Sequence, residues 1–193
     1  MKMLEEKIRS EGRAITDEIL KVDSFLNHMV DPFLMEAIGR EFARCFAGRG
    51  ITKILTLEAS GIPPALFTAK EIGVPMVFVK KAVSANIGTD VYHTTVHSFT
   101  YNREFEICVS KKYLTKDDTV LIVDDFLADG CACEGMANLS RQAGAKIAGI
   151  GICIEKGFEK GGKKLRDQGY DLLSLAIVES MHEDEIIFRE QPE

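Results

Sequence analysis

The sequence predicts an α/β fold with a mainly parallel sheet flanked by helices. Three observations lead there. Apolar runs of strand length recur along the chain, among them KILTL (53–57), TVLIVDD (119–125) and KIAGIGICIEK (146–156). Segments of helical spacing separate several of them. The runs are nearly continuous rather than alternating, as strands covered on both faces require. The 193 residues fit a single domain spanning 1–193 with a sizeable core.

In chain order, the segment up to about Asn27 mixes charged and apolar residues at helical spacing. Residues 31–47, DPFLMEAIGREFARCFA, read as a helix with Asp31 as N-cap, Pro32 in the first turn and Gly48 beyond the end. KILTL is a short buried strand. Residues 61–72 form a helix that tolerates Pro63 and Pro64 in its first turn. VPMVFVK (74–80) is the next strand. The polar stretch 82–103 has no clear core period, and so long a connection inside a compact domain is usually functional. FEICVS (105–110) and TVLIVDD are strands, 131–143 is a helix closed by Gly144, and KIAGIGICIEK is a buried strand. A short polar helix (159–169) and a late strand, DLLSLAIVESM (171–181), complete the series.

Composition narrows the function. Net charge is −6, which argues against a general nucleic-acid binder. No apolar stretch is long enough for a transmembrane helix, and the start MKMLEEKIRSEG has no secretory h-region. A cytoplasmic protein without membrane or nucleic-acid partners is expected. The five cysteines show no disulfide framework. Cys131 and Cys133 have no nearby His or further Cys to complete a metal set. His28, His93, His97 and His182 are scattered, and no metal-binding residues are assigned.

In parallel α/β sheets, ligands bind beyond the carboxyl ends of the strands. The informative residues are therefore EASG (58–61), the lysine pair 80–81, DDFLADGCA (124–132) and EKGF (155–158). Asp124 and Asp125 place two like charges at the end of a buried run, where repulsion and desolvation both oppose them. A ligand with hydroxyl donors, or a divalent cation, offsets that cost. From Ala128 to Ala132 no side chain is bulky, so amide N–H groups at a helix start can approach an anion. Vicinal hydroxyls at one end and a phosphate at the other describe a sugar phosphate. Neither G-x-x-x-x-G-K-[ST] nor G-x-G-x-x-G occurs.

An apolar run, Asp-Asp, two apolar residues and a small-residue loop together resemble the phosphoribosyl-pyrophosphate (PRPP) motif of the type I phosphoribosyltransferases. Further stretches, MLEEKIRSEGRAI, ILKVDSFLNHMVDP, LEASGIPPA and IEKGF, are similar to the bacterial xanthine branch of that family over nearly the whole chain. The resemblance implies the type I phosphoribosyltransferase fold, with a small hood largely from residues 1–30 and a flexible loop at 82–103. It implies that Asp124 and Asp125 hold the ribose hydroxyls, and that Ala128, Asp129, Gly130, Cys131 and Ala132 wrap the 5-phosphate. Glu58, Ala59 and Ser60 match the pyrophosphate loop, often built on a non-proline cis peptide. Lys81 fits pyrophosphate and in relatives can serve a neighbouring subunit, consistent with a homodimer. Leu20, Asn27 and Lys156 fall where the family contacts the purine, with Phe158 able to stack on it. Mg²⁺ would arrive on PRPP rather than in a protein cage.

The chain departs from parts of the pattern. Alanine stands at 128, where some oxopurine relatives carry an aspartate. That disfavours a hypoxanthine or guanine enzyme, although another base and a non-catalytic PRPP sensor remain as alternatives. Asp129 would repel a phosphate if it pointed inward. It is expected instead to point away and accept backbone N–H groups at the helix start. The implied reaction joins xanthine to PRPP, giving XMP and pyrophosphate.

Overall fold

In the computed structural model, which describes residues 1–81, 90–98, 103–183 and 185–191, the chain opens with helix α1 (Lys2–Glu11). A two-stranded hairpin of β1 (Arg13–Ala14) and β2 (Leu20–Lys21) follows, then a single π-helical turn, Asp23–Asn27. Helical spacing up to Asn27 therefore becomes helix only as far as Glu11. The reason is local. The Thr16 hydroxyl accepts the backbone N–H groups of Glu18 and Ile19, at 3.2 and 3.1 Å, and such bonds offer the chain a turn in place of a helix. Leu4, Ile8, Leu20, Phe25 and Leu26 bury the inner side of this hood in a core shared with the main sheet.

Helix α2 (Pro32–Cys45) begins as the sequence predicts, with the Asp31 carboxylate accepting from Phe33 N and Leu34 N at 3.0 and 3.2 Å. Then come β3 (Lys53–Leu57), α3 (Ile62–Ile72) and β4 (Met76–Val79). A ribbon of β5 (Val91–Ser98) and β6 (Arg103–Ser110) is next. The remaining elements are β7 (Thr119–Leu127), α4 (Cys131–Ala143), β8 (Lys146–Lys156), α5 (Gly161–Asp167), β9 (Leu172–His182) and β10 (Glu185–Phe188). The main sheet runs β10–β9–β8–β7–β3–β4, parallel throughout except for the antiparallel β10.

Three sequence expectations need correction. The polar stretch 82–103 contains a full strand at 91–98, although 82–89 and 99–102 lie outside the described residues. Its Thr, Tyr and Val residues suit a half-covered ribbon. Val96 and Ile107 pack where a Cβ on Gly135 would stand, at 2.6 and 2.7 Å, so the glycine seats the ribbon on α4. Strand β7 continues two residues past the acids, which makes Asp124 and Asp125 part of the sheet rather than its terminus. Strand β10 was not anticipated: EIIF is short and lies at the sheet edge.

Both sheet faces are covered, which explains the unbroken apolar runs. Leu121 and Val123 face α2 and the hood, whereas Val120 and Ile122 face α4 and the ribbon. Glycines on β8 admit the large side chains of α2 and its C-cap. A Cβ on Gly149 would lie 2.4 Å from the Phe46 ring, and one on Gly151 would lie 2.9 Å from the Phe42 ring. Overpacking of this kind costs about 1–3 kcal/mol. Gly149→Ala should therefore lower the melting temperature by several degrees, roughly 2–4 °C per kcal/mol for a chain of this size. Thermal unfolding followed by circular dichroism checks this, and an unchanged transition would contradict the packing described.

Candidate active site

Strands β3 and β7 are neighbours in the sheet, and the loops after them enclose a cleft of about 210 Å³. Its lining brings together Glu58, Ala59, Ser60 and Gly61 after β3, Lys81 after β4, and Asp124, Asp125, Asp129, Cys131 and Ala132. Val96 and Phe105 of the ribbon contribute to the wall. Most of the residues that the family resemblance assigns to PRPP thus meet in one place.

The acid pair dominates the electrostatics. Asp124 is 6% exposed and Asp125 9%. Burial, followed by the charge of Asp125, pushes the Asp124 carboxyl well above the usual carboxylate range. The Lys81 charge opposes this only weakly. Burial also raises Asp125, although a hydrogen bond from Asn27 works against the rise. Asp124 Oδ1 accepts the Asp125 backbone N–H at 3.0 Å. Close by, the hydroxyl of Thr56 is fully buried and makes no hydrogen bond. A Cβ on Gly61 would stand 2.2 Å from that hydroxyl oxygen and 2.6 Å from Asp124 Oδ1, so only glycine fits against the pair.

The two loops differ in construction. Glu58–Ala59 is a cis peptide. The Glu58 carboxylate accepts the Lys81 backbone N–H at 2.8 Å, which ties the loop after β3 to the end of β4. In the loop after β7, Gly130 sits at φ +86 and begins α4. Asp129 accepts the Cys131 N–H at 2.9 Å through Oδ1, as the sequence suggested for a helix start, but it does not point away: it lines the cleft. The Cys131 thiol is pushed up to about 11 by burial and then by the Asp129 charge, so it is not a reactive thiolate near neutral pH.

The base-contact candidates separate. Asn27, at the end of the π-helical turn, donates Nδ2–H to Asp125 Oδ2 at 3.3 Å, which brings the hood onto the acid pair. Leu20 is 8% exposed and belongs to the hood core. Lys156, last in β8, donates to Glu18 O at 2.8 Å and reaches Glu159 Oε1 at 3.4 Å, which ties the strand end to the hood hairpin. Phe158 is 39% exposed and lines a larger hollow of about 870 Å³ beside α5. That hollow is rich in cations, but Lys163, Lys164, Arg166 and Arg189 are each engaged by an acid: Asp167, Glu134, Glu155 and Glu179. Volume is therefore a poorer guide here than the buried acid pair of the smaller cleft.

Sequence reasoning did not single out Thr56, buried beside Gly61, or Phe105 in the cleft wall. Thr56 sits inside an apolar strand and carries no local signal. Phe105 reads as an ordinary strand residue. Among the described residues there is no cluster of three or more His, Cys, Asp or Glu side chains suited to a resident metal ion. No described helix is long and apolar enough to cross a membrane.

An acid pair and a loop at a helix start thus meet near the carboxyl edge of a parallel sheet, where ligands of α/β folds bind. Residues 32–187 match the phosphoribosyl transferase domain family, and the chain belongs to that family. A xanthine phosphoribosyltransferase of Bifidobacterium longum subsp. infantis is 54% identical over 192 residues, covering 98% of this chain and all of that protein. One from Ruminiclostridium cellulolyticum is 50% identical over 190 residues, again covering 98% of this chain and all of its own length. Among solved structures, adenine phosphoribosyltransferase from Thermoanaerobacter pseudethanolicus aligns with a TM-score of 0.72 at 26% identity, over 90% of this chain and 98% of that one. The fold is thus the type I phosphoribosyltransferase fold that the sequence resemblance implied.

The raised acid pair has a consequence for stability. A carboxyl whose pKa is higher in the folded protein than in the unfolded chain binds its proton more tightly when folded. Its stabilising contribution is complete below the unfolded value and is lost as pH rises through the folded value. Above the ordinary carboxylate range, burial of Asp124 therefore destabilises the ligand-free protein relative to its unfolded chain. Asp124→Asn should raise the melting temperature of the ligand-free protein by roughly 2–4 °C, about 1 kcal/mol. It should also flatten the decline in stability as pH rises above the ordinary carboxylate range. Thermal scans across that rise in pH test both, and a variant less stable than wild type at pH 7 would contradict the assignment.

Proposed function

We infer that this chain transfers the 5-phosphoribosyl group of PRPP to xanthine, forming XMP and pyrophosphate in purine salvage. The observation that carries the reading is the buried pair Asp124–Asp125 between two loops suited to phosphates, with Asn27 reaching it from the hood. The named relatives, alike over almost their whole length, support xanthine as the acceptor.

The proposed roles follow from chemistry. Ionised Asp124 and Asp125 accept the ribose hydroxyls, and the ligand supplies the partners they lack when it is absent. Loop 128–132 holds the 5-phosphate, while Glu58, Ala59, Ser60 and Lys81 surround the pyrophosphate. Mg²⁺ comes as part of the substrate and neutralises charge on the pyrophosphate as it leaves. The ribose becomes cation-like at its anomeric carbon as that bond breaks, and the two carboxylates lie close enough to favour positive charge there. The protein positions the reactants and excludes water; no covalent intermediate is needed.

Asn27 and Lys156 are assigned to the base. One Nδ2–H of Asn27 is directed to Asp125, leaving the amide oxygen and a second N–H for the purine. Lys156 has three donors, and Glu18 O and Glu159 occupy two directions, leaving one for an oxygen of a partly anionic base. Leu20 supports this wall from the hood core. The proposal includes a cytoplasmic homodimer.

Pyrophosphate release with xanthine, hypoxanthine, guanine and adenine tests the reading. The highest kcat/KM should be found with xanthine; a preference for adenine, or no release with any purine, would overturn it. Asn27→Ala should lower kcat/KM for xanthine by one to two decades, reflecting about 1–3 kcal/mol for a buried group left unpaired. Hypoxanthine lacks the oxygen at C2 and should suffer less. Equal losses with both bases would make Asn27 a structural residue of the hood.

A further inference from the structure

Gly161, the first residue of α5, lies against the loop assigned to the 5-phosphate. Its N–H donates to Ala128 O at 3.0 Å. A Cβ placed on Gly161 would stand 2.3 Å from Ala128 O, 2.6 Å from Gly130 N and 2.7 Å from Asp129 C. All three are backbone atoms, so no side-chain rotation relieves the overlap. The approach is mutual: a Cβ on Gly130 would lie 3.2 Å from the Gly161 Cα.

Helix α5 has no room to retreat. A Cβ on Gly162 would stand 1.9 Å from Glu155 Oε1 and 2.7 Å from Arg166 Nη1. The Arg166 guanidinium binds the Glu155 carboxylate through both nitrogens, at 2.7 and 2.8 Å. Burial pushes Glu155 up, but the bonds from Arg166 and Ser174 outweigh it and keep the carboxyl below its usual range. Leu165 is buried in the core, and Lys164 and Gln168 both reach Glu134 on α4. The first turn of α5 is thus held between a buried ion pair and the loop it touches.

We propose that Gly161 is a positioning residue for the phosphoribosyl ligand: the bare first turn of α5 sets the height of loop 128–132 and so the place of the 5-phosphate. This rests on the function proposed above. Gly161 acts through the loop backbone and touches no reacting atom. The three atoms nearest a Cβ on Gly161 all belong to loop 128–130, none to Glu58–Ser60 at the pyrophosphate end. Displacing the loop should therefore weaken one end of the substrate and spare the other.

The test is calorimetric binding of ribose 5-phosphate and of Mg²⁺-pyrophosphate, each alone, to wild type and Gly161→Ala. The variant should bind ribose 5-phosphate at least ten-fold more weakly and pyrophosphate within two-fold of wild type. In turnover, KM for PRPP should rise more than kcat falls. Equal weakening of both ligands would mean a merely structural role, and unchanged binding of both would also overturn the proposal. If wild type itself binds no ribose 5-phosphate, the functional reading fails with it. Hydrogen exchange in wild type provides a test that needs no variant. Ribose 5-phosphate should slow exchange of the Gly161 amide at least ten-fold, and pyrophosphate should not. An amide that responds to neither ligand, or to both alike, would contradict the proposal.

Discussion

Two adjacent carboxylates inside a sheet are the constraint around which this molecule is arranged. Asp124 and Asp125 lie in β7, flanked by β3 and β8, where water is largely excluded. Desolvation and mutual repulsion favour the protonated form of Asp124. Nearby features accommodate the pair rather than neutralise it. Gly61 leaves room beside Asp124, the Asp125 backbone N–H bonds Asp124, and Asn27 lends a neutral donor to Asp125. A pair held in this way is costly for the empty protein and useful to a ligand with two hydroxyls.

The scaffold turns that cost into geometry. Strands β3 and β7 are neighbours, so the loops assigned to the two ends of the substrate arise from adjacent positions in the sheet. The next strand across, β8, carries Lys156 to the hood and Glu155 to α5. One strand end thereby fixes both the wall assigned to the base and the support under the phosphate loop. Glycine recurs where backbone must meet backbone or ring: Gly61 at the acids, Gly149 and Gly151 beneath α2, Gly161 beneath the loop.

Much of this was legible in the sequence, and its gaps have physical causes. The main strands and helices could be read because buried parallel strands leave long apolar runs, and because Asp31, Pro32 and Gly144 punctuate helices by local stereochemistry. The acid pair and the turn of Asp129 were legible for the same local reason. Strand β5 was not, since its outward face is polar and its seat, Gly135 on α4, is distant in sequence. Strand β10 is a short edge. The hood was read as helix because charge spacing alone does not reveal the hydroxyl of Thr16 competing for backbone N–H groups. The bonds of Lys156 to Glu18 O and of Gly161 to Ala128 O join residues whose proximity only the folded sheet creates.

In the proposed function the buried carboxylates receive a ribose diol. Comparing the affinities of wild type for ribose 5-phosphate and for 2,3-dideoxyribose 5-phosphate, at one pH and salt concentration, tests it most directly. Hydrogen bonds to charged groups contribute about 1.5–3 kcal/mol each, so loss of both hydroxyls should weaken binding by roughly a hundred-fold or more. Equal affinity for the two sugars would show that the phosphate alone is recognised and that Asp124 and Asp125 serve some other purpose.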